Sequence, residues 1–231
     1  MDRIFVAIGG GELRSKTTLE IDRVLAGIAK ERAGGRRANA LFFPTASHDS
    51  LPYFNTFRKT YTSEFWLKAD VALLTKKNIP LEKIEEKIAA ADLIYLGGGD
   101  TLHLIETLKK TGVDKMILEA YRRGVVLCGL SAGGICWFEK MYSDTDIIRY
   151  GSQNYSIYVG MGMIEGLVCP HYNSRKEDFD KALMDIGGGA YAVEDNAAIV
   201  FVNEKYSRSL SAGGKSYRLE AGGDTLIKTE I

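Results

Sequence analysis

Three times along the chain a short apolar run stops abruptly at glycine. Ile4-Phe5-Val6-Ala7-Ile8 meets Gly9-Gly10-Gly11, Leu93-Ile94-Tyr95-Leu96 meets Gly97-Gly98-Gly99, and Val125-Val126-Leu127-Cys128 meets Gly129. Runs without polar alternation suit strands covered by helices on both faces, which is the situation inside a parallel sheet. Between them lie helix-favouring stretches over 17–32, 53–68, 81–90, 101–110 and 114–123, and further strand-like runs at 40–43 and 70–74. Alternation of this kind predicts a doubly wound, mostly parallel α/β sheet with right-handed crossovers. Beyond about residue 140 the texture changes. Residues 143–162 read as an irregular loop or short strands, 175–186 as a helix, and 197–202, 207–210, 217–219 and 225–228 as antiparallel strands joined by glycine turns. No Pro/Ser linker divides the chain, so residues 1–231 are expected to form one α/β hydrolytic domain.

Composition narrows the function. With 45% hydrophobic and 26% charged residues, 231 residues can bury a substantial core without staples. Thirty basic and thirty acidic side chains cancel, which leaves no global field to draw the protein to nucleic acid or an anionic membrane. Cys128, Cys136 and Cys169 lack the spacing of a zinc site or disulfide framework and read as small buried hydrophobes. The first apolar run is too short for a signal peptide, no stretch is of membrane-spanning length, and a cytoplasmic location is expected.

The sharpest motif is Gly129-Leu130-Ser131-Ala132-Gly133, between a strand and the helix-like run 135–140. In a nucleophile elbow the flanking glycines remove Cβ atoms that would collide in a strained turn, exposing the serine hydroxyl beside a helix N-terminus. Ser211-Ala212-Gly213-Gly214 shares the letters but lacks the first glycine and the following helix, so it reads as a hairpin turn. A serine needs a base. Of His48, His103 and His171, the last follows Pro170 at a strand end, where open α/β sheets form their sites. The carboxylate that orients the imidazole is open between Glu194, which ends a short strand, and Asp146, with Glu165, Asp195 and Asp144 as plainer alternatives. Ala132 N–H and an amide from Gly98 or Gly99 are candidate oxyanion donors. The rival reading of the glycine turns, phosphate binding, is weak because neither GxGxxG nor GxxxxGK[ST] occurs.

Leu96-Gly97-Gly98-Gly99-Asp100-Thr101, the elbow, Pro170-His171-Tyr172 and Val193-Glu194-Asp195-Asn196-Ala197-Ala198, in this order, resemble the serine peptidases related to dipeptidase E (aspartyl dipeptidase) and cyanophycinase. The resemblance implies a class I glutamine amidotransferase-like fold and a Ser–His–Glu triad of Ser131, His171 and Glu194. It also implies an oxyanion hole from Gly99 and Ala132, no metal or organic cofactor, and small peptides as substrates. Two positions depart from the dipeptidase E pattern: Leu130 stands where tryptophan is usual and Asp100 where asparagine is usual. A substrate carboxylate desolvated near the nucleophile would need a fixed cation, ideally a guanidinium, for which Arg175 is the first candidate and Arg149 the second. An esterase or amidase with the same triad and a non-catalytic binding module are the alternative functions.

Overall fold

The three glycine-terminated runs become adjacent parallel strands. The computed structural model describes residues 1–75 and 80–231. In chain order its first half comprises β1 (Ile4–Ile8), α1 (Leu19–Arg32), β2 (Asn39–Phe43), α2 (Leu51–Ser63), β3 (Lys68–Val71), α3 (Leu81–Ala89), β4 (Leu93–Leu96), α4 (Thr101–Thr111), α5 (Val113–Arg122) and β5 (Val126–Leu130). Then follow α6 (Ala132–Ile135), β6 (Phe138–Ser143), α7 (Thr145–Tyr150), β7 (Ser156–Val159), β8 (Ile164–Cys169), α8 (Tyr172–Ile186), β9 (Gly188–Val193), β10 (Ala197–Val202), β11 (Lys205–Ser211), β12 (Ser216–Gly222) and β13 (Thr225–Glu230). A seven-stranded sheet has the order β11-β10-β1-β5-β4-β2-β3, parallel from β1 to β3 and closed on one side by the antiparallel β10 and β11. This is the predicted mostly parallel α/β architecture. The carboxyl ends of β1, β5 and β4 lie side by side in the middle of the sheet, so their glycine turns converge at its carboxyl end.

A second, six-stranded mixed sheet, β13-β12-β9-β8-β6-β7, was not foreseen as a unit. The expected helix over 135–140 is instead the single turn α6 followed by β6. The reason lies in the burial pattern of β6: Phe138, Met141 and Tyr142 face inward and Glu139 and Lys140 outward. A register shift between Phe138 and Lys140 breaks the strand's twofold alternation and leaves an i, i+3, i+4 pattern that imitates a helix. Likewise 143–162 contains α7 and β7 rather than only irregular chain. The two sheets meet through aromatic side chains. Phe5 of β1 lies 6.0 Å from Phe201 and 6.1 Å from Phe138, and both sheets contribute to one buried cluster. The three cysteines are free and buried, and among the described residues no helix is long and apolar enough to cross a membrane.

One buried charge has a measurable cost. Asp22 on α1 is fully buried and accepts hydrogen bonds from Thr18 Oγ1 and Tyr61 Oη, each at 2.8 Å. Burial outweighs both bonds and raises its carboxyl from 3.8 to about 6. The folded-state value lies above the unfolded one, so the fold favours the protonated form and stability falls as pH rises through this window. Asp22→Asn is expected to gain roughly 1–3 kcal/mol at about pH 8 and much less at about pH 4, as read from urea midpoints. An equal change at both pH values would show that the carboxylate charge is not the cause.

Candidate active site

Ser131 follows β5 directly and takes φ 50° and ψ −117°, a conformation rare outside glycine. Its N–H donates to the Ile8 carbonyl at 2.8 Å, tying the turn to the end of β1. The motif glycines are required by close backbone contact. A Cβ on Gly129 would strike the Gly133 carbonyl, and one on Gly133 would strike the Leu96 carbonyl. The turn therefore holds the serine between two strand ends, with Ala132 opening α6 behind it.

His171 lies between β8 and α8 with φ 51°, and its N–H donates to the Gly9 carbonyl at 3.1 Å. Its Nε2 is 2.8 Å from Ser131 Oγ and its Nδ1 is 2.6 Å from Asp195 Oδ1. An ionised carboxylate can only accept, so Nδ1 carries the proton and Nε2 is free to accept from the serine hydroxyl. Asp195 is itself fixed by Asn173 in a reciprocal pair: Asn173 Nδ2 donates to Oδ2 and Asp195 N–H donates to Asn173 Oδ1, both at 2.9 Å. The bond to His171, then that to Asn173, holds the Asp195 carboxyl below its ordinary range, against partial burial. Gly10 forms the floor of the pair, where a Cβ would fall on both the Asp195 carboxylate and the His171 ring.

The carboxylate expectation is corrected. Glu194 does not reach His171; its Oε2 accepts from Lys215 N–H at 3.0 Å and its Oε1 from Tyr217 Oη at 3.4 Å. Successive residues of an extended chain point to opposite sides. As the chain leaves β9, Glu194 turns to β12 while Asp195 bridges to Gly10. Asp146 is also elsewhere, accepting from Ser156 Oγ at 2.8 Å and Tyr158 Oη at 2.5 Å. The rings of His48 and His103 lie against each other, tilted by 42° with centroids 4.2 Å apart, and burial, then His48, holds His103 below its ordinary value.

The turn after β4 abuts the elbow: a Cβ on Gly98 would lie 3.5 Å from Ser131 Cβ. Gly99, at φ +137°, and Ala132 have N–H groups with no acceptor among the described residues, whereas Gly98 N–H donates to Tyr53 Oη at 3.3 Å. Neither nominated arginine offers a free cation. Arg175 is buried, with Nη2 on Asp144 at 2.8 Å, Nη1 on the Tyr142 carbonyl at 3.3 Å and its guanidinium over the Tyr155 ring. Arg149 binds Asp100 and Glu106. The expectation that Arg175 grips a substrate carboxylate fails because α8 turns that side chain inward, beneath the chain that follows β6. Arg175→Met is accordingly expected to lower stability by roughly 2–4 kcal/mol, as seen in urea unfolding, with equal kinetic losses on acidic and neutral peptides. A loss confined to acidic peptides would restore the binding role.

Sequence reasoning underrated Asp195 and missed Asn173 and Gly10. The available signal was the parity of Glu194 and Asp195, adjacent carboxylates of which only one can face the histidine, together with an amide side chain two residues after His171.

The model of peptidase family S51 matches residues 5–208. The chain is 29% identical over 225 residues to the uncharacterized peptidase YgaJ of Bacillus subtilis, covering 95% of this chain and 92% of that protein. It is 30% identical over 165 residues to the uncharacterized peptidase Lmo0363 of Listeria monocytogenes, covering 68% of this chain and 79% of that protein. Among solved structures, a peptidase from an acI-B1 Actinobacterium superposes over 100% of this chain and 97% of that one, with a TM-score of 0.69 at 20% identity. A putative peptidase E protein from Listeria monocytogenes superposes over the whole of both chains with a TM-score of 0.62, also at 20% identity. With a match that runs from β1 into β11, this chain belongs to peptidase family S51 and is a peptide-bond hydrolase.

Proposed function

We propose that the protein is a serine-type peptidase that cleaves small peptides through an acyl-enzyme, with Ser131 as nucleophile, His171 as base then acid, and Asp195 as the carboxylate that orients the imidazole. The observation that carries this reading is the continuous hydrogen-bonded line from Ser131 Oγ through both ring nitrogens to Asp195 Oδ1, at 2.8 and 2.6 Å. As Oγ bonds to the substrate carbonyl carbon, its proton passes to Nε2, and Asp195 stabilises the imidazolium. The oxyanion is received by the N–H groups of Gly99 and Ala132. When the intermediate collapses, the C–N bond breaks and Nε2–H protonates the departing amine. Water then attacks the ester with His171 again as base, releasing the acid and restoring Ser131.

The nucleophile comes from the larger sheet and the base from the smaller, which supports treating residues 1–231 as one hydrolytic unit. An acidic preference is not part of this proposal, since both arginines advanced for it are committed to protein carboxylates. A dipeptide library incubated with wild-type protein and with Ser131→Ala tests the assignment. Release of free amino acids by the wild type alone is expected; equal release by both would overturn it.

A further inference from the structure

Arg149 lies on α7, outside the hydrogen-bonded line at Ser131, yet its guanidinium ends on the turn that carries Gly99. Its Nε donates to Asp100 Oδ2 at 2.6 Å, and its terminal nitrogens fork onto Glu106 at 3.2 and 3.1 Å. Asp100 immediately follows Gly99, and its side chain is only 6% exposed. Its Oδ1 accepts from His103 N–H at 3.0 Å and caps α4, while its own N–H donates to the Ala46 carbonyl at 2.9 Å. The Gly99 side of the turn has no spare room, because a Cβ there would meet the same Ala46 carbonyl. The residue beside the proposed oxyanion donor is thus held at three points, and among the described residues Arg149 is the one cation paired with it. Arg149 also arrives from a seated platform. Ser143 Oγ, just before α7, donates to Thr101 Oγ1 at 3.3 Å, and Arg175 binds Asp144 at 2.8 Å.

We infer that Arg149 is a positioning residue for the oxyanion-binding turn, neutralising Asp100 so that the Gly99 N–H stays aimed beside Ser131. The inference rests on the roles proposed for Ser131 and Gly99. A nearly buried carboxylate stripped of its cation must find water, and Asp100 can do so only by leaving the α4 N-terminus and turning the adjoining peptide with it. Oxyanion donors act through geometry set before charge develops, so the loss falls on the bond-forming step rather than on binding.

A fluorophosphonate probe reads that step directly. Ser131 Oγ bonds to phosphorus, fluoride leaves with the P–F electron pair, His171 takes the hydroxyl proton, and the phosphoryl oxygen lies where the oxyanion would. Arg149→Met is expected to lower the limiting phosphonylation rate by about 10- to 100-fold while changing the half-saturating probe concentration less than about twofold. The final extent of labelling counts folded protein, which separates this effect from unfolding. Adding Asp100→Asn removes the stranded charge and keeps a capping oxygen, so the double variant should recover to within about threefold of wild type. A wild-type rate in Arg149→Met, a change confined to half-saturation, or a loss not relieved by Asp100→Asn would each overturn the inference. Wild-type protein left unlabelled at Ser131 would overturn the nucleophile assignment and this inference together, whereas equal limiting rates of labelling in wild type and Arg149→Met would overturn this one alone.

Discussion

Ser131→Ala is expected to abolish peptide hydrolysis while leaving the fold in place. In the proposed mechanism the hydroxyl oxygen bonds to the substrate, and in the structure it is hydrogen-bonded to His171 Nε2. The backbone that shapes the elbow is held by other groups: the Ser131 N–H on Ile8, the Ser131 carbonyl on the Gly134 and Ile135 N–H groups, and the glycine contacts around it. Alanine keeps all of these and meets the same φ near 50° at a cost similar to that of serine. Loss of the nucleophile in a serine protease costs about 10⁶-fold in kcat, so turnover should fall below detection with the thermal midpoint nearly unchanged. A variant that retains a tenth of the wild-type rate would remove Ser131 from the chemistry.

The sequence made the centre of the larger sheet legible because β1, β4 and β5 are buried apolar runs that stop at glycine, a pattern independent of distant partners. It also brought Ser131 and His171 forward, since an elbow is written locally and Pro170 fixes the entry to His171. The second sheet was less legible. Its strand β6 carries a bulge that shifts side-chain alternation into a helical period. The carboxylate was illegible for a different reason. Glu194 and Asp195 are adjacent, and which one faces His171 is decided by tertiary contacts: Lys215 and Tyr217 draw Glu194 away while Asn173 and Gly10 receive Asp195. The arginines illustrate the same limit. Position near His171 made Arg175 a natural ligand for a substrate, but its pairing with Asp144 depends on where β6 ends.

Asp195→Asn should cost about 10⁴-fold in kcat, the size of a comparable tautomer error in a serine protease, while Glu194→Gln should change it by less than about threefold. The sign follows from Asn173. In the native pair Asn173 Nδ2 donates to Asp195 Oδ2, so an asparagine at 195 satisfies that donor only by turning its own oxygen towards Asn173. Its amide nitrogen then faces His171 Nδ1, which must accept rather than donate. The imidazole proton moves to Nε2, and Ser131 Oγ loses the acceptor that would take its proton. The neighbouring backbone bond, Asp195 N–H to Asn173 Oδ1, is untouched, so the variant should remain folded. Glu194→Gln instead alters contacts to Lys215 N–H and Tyr217 Oη, on the side of the chain away from the imidazole. Steady-state rates on one dipeptide for the two variants decide the matter. A crippled Glu194→Gln beside a nearly active Asp195→Asn would return the orienting role to Glu194 and require the chain after β9 to rotate by one residue during turnover.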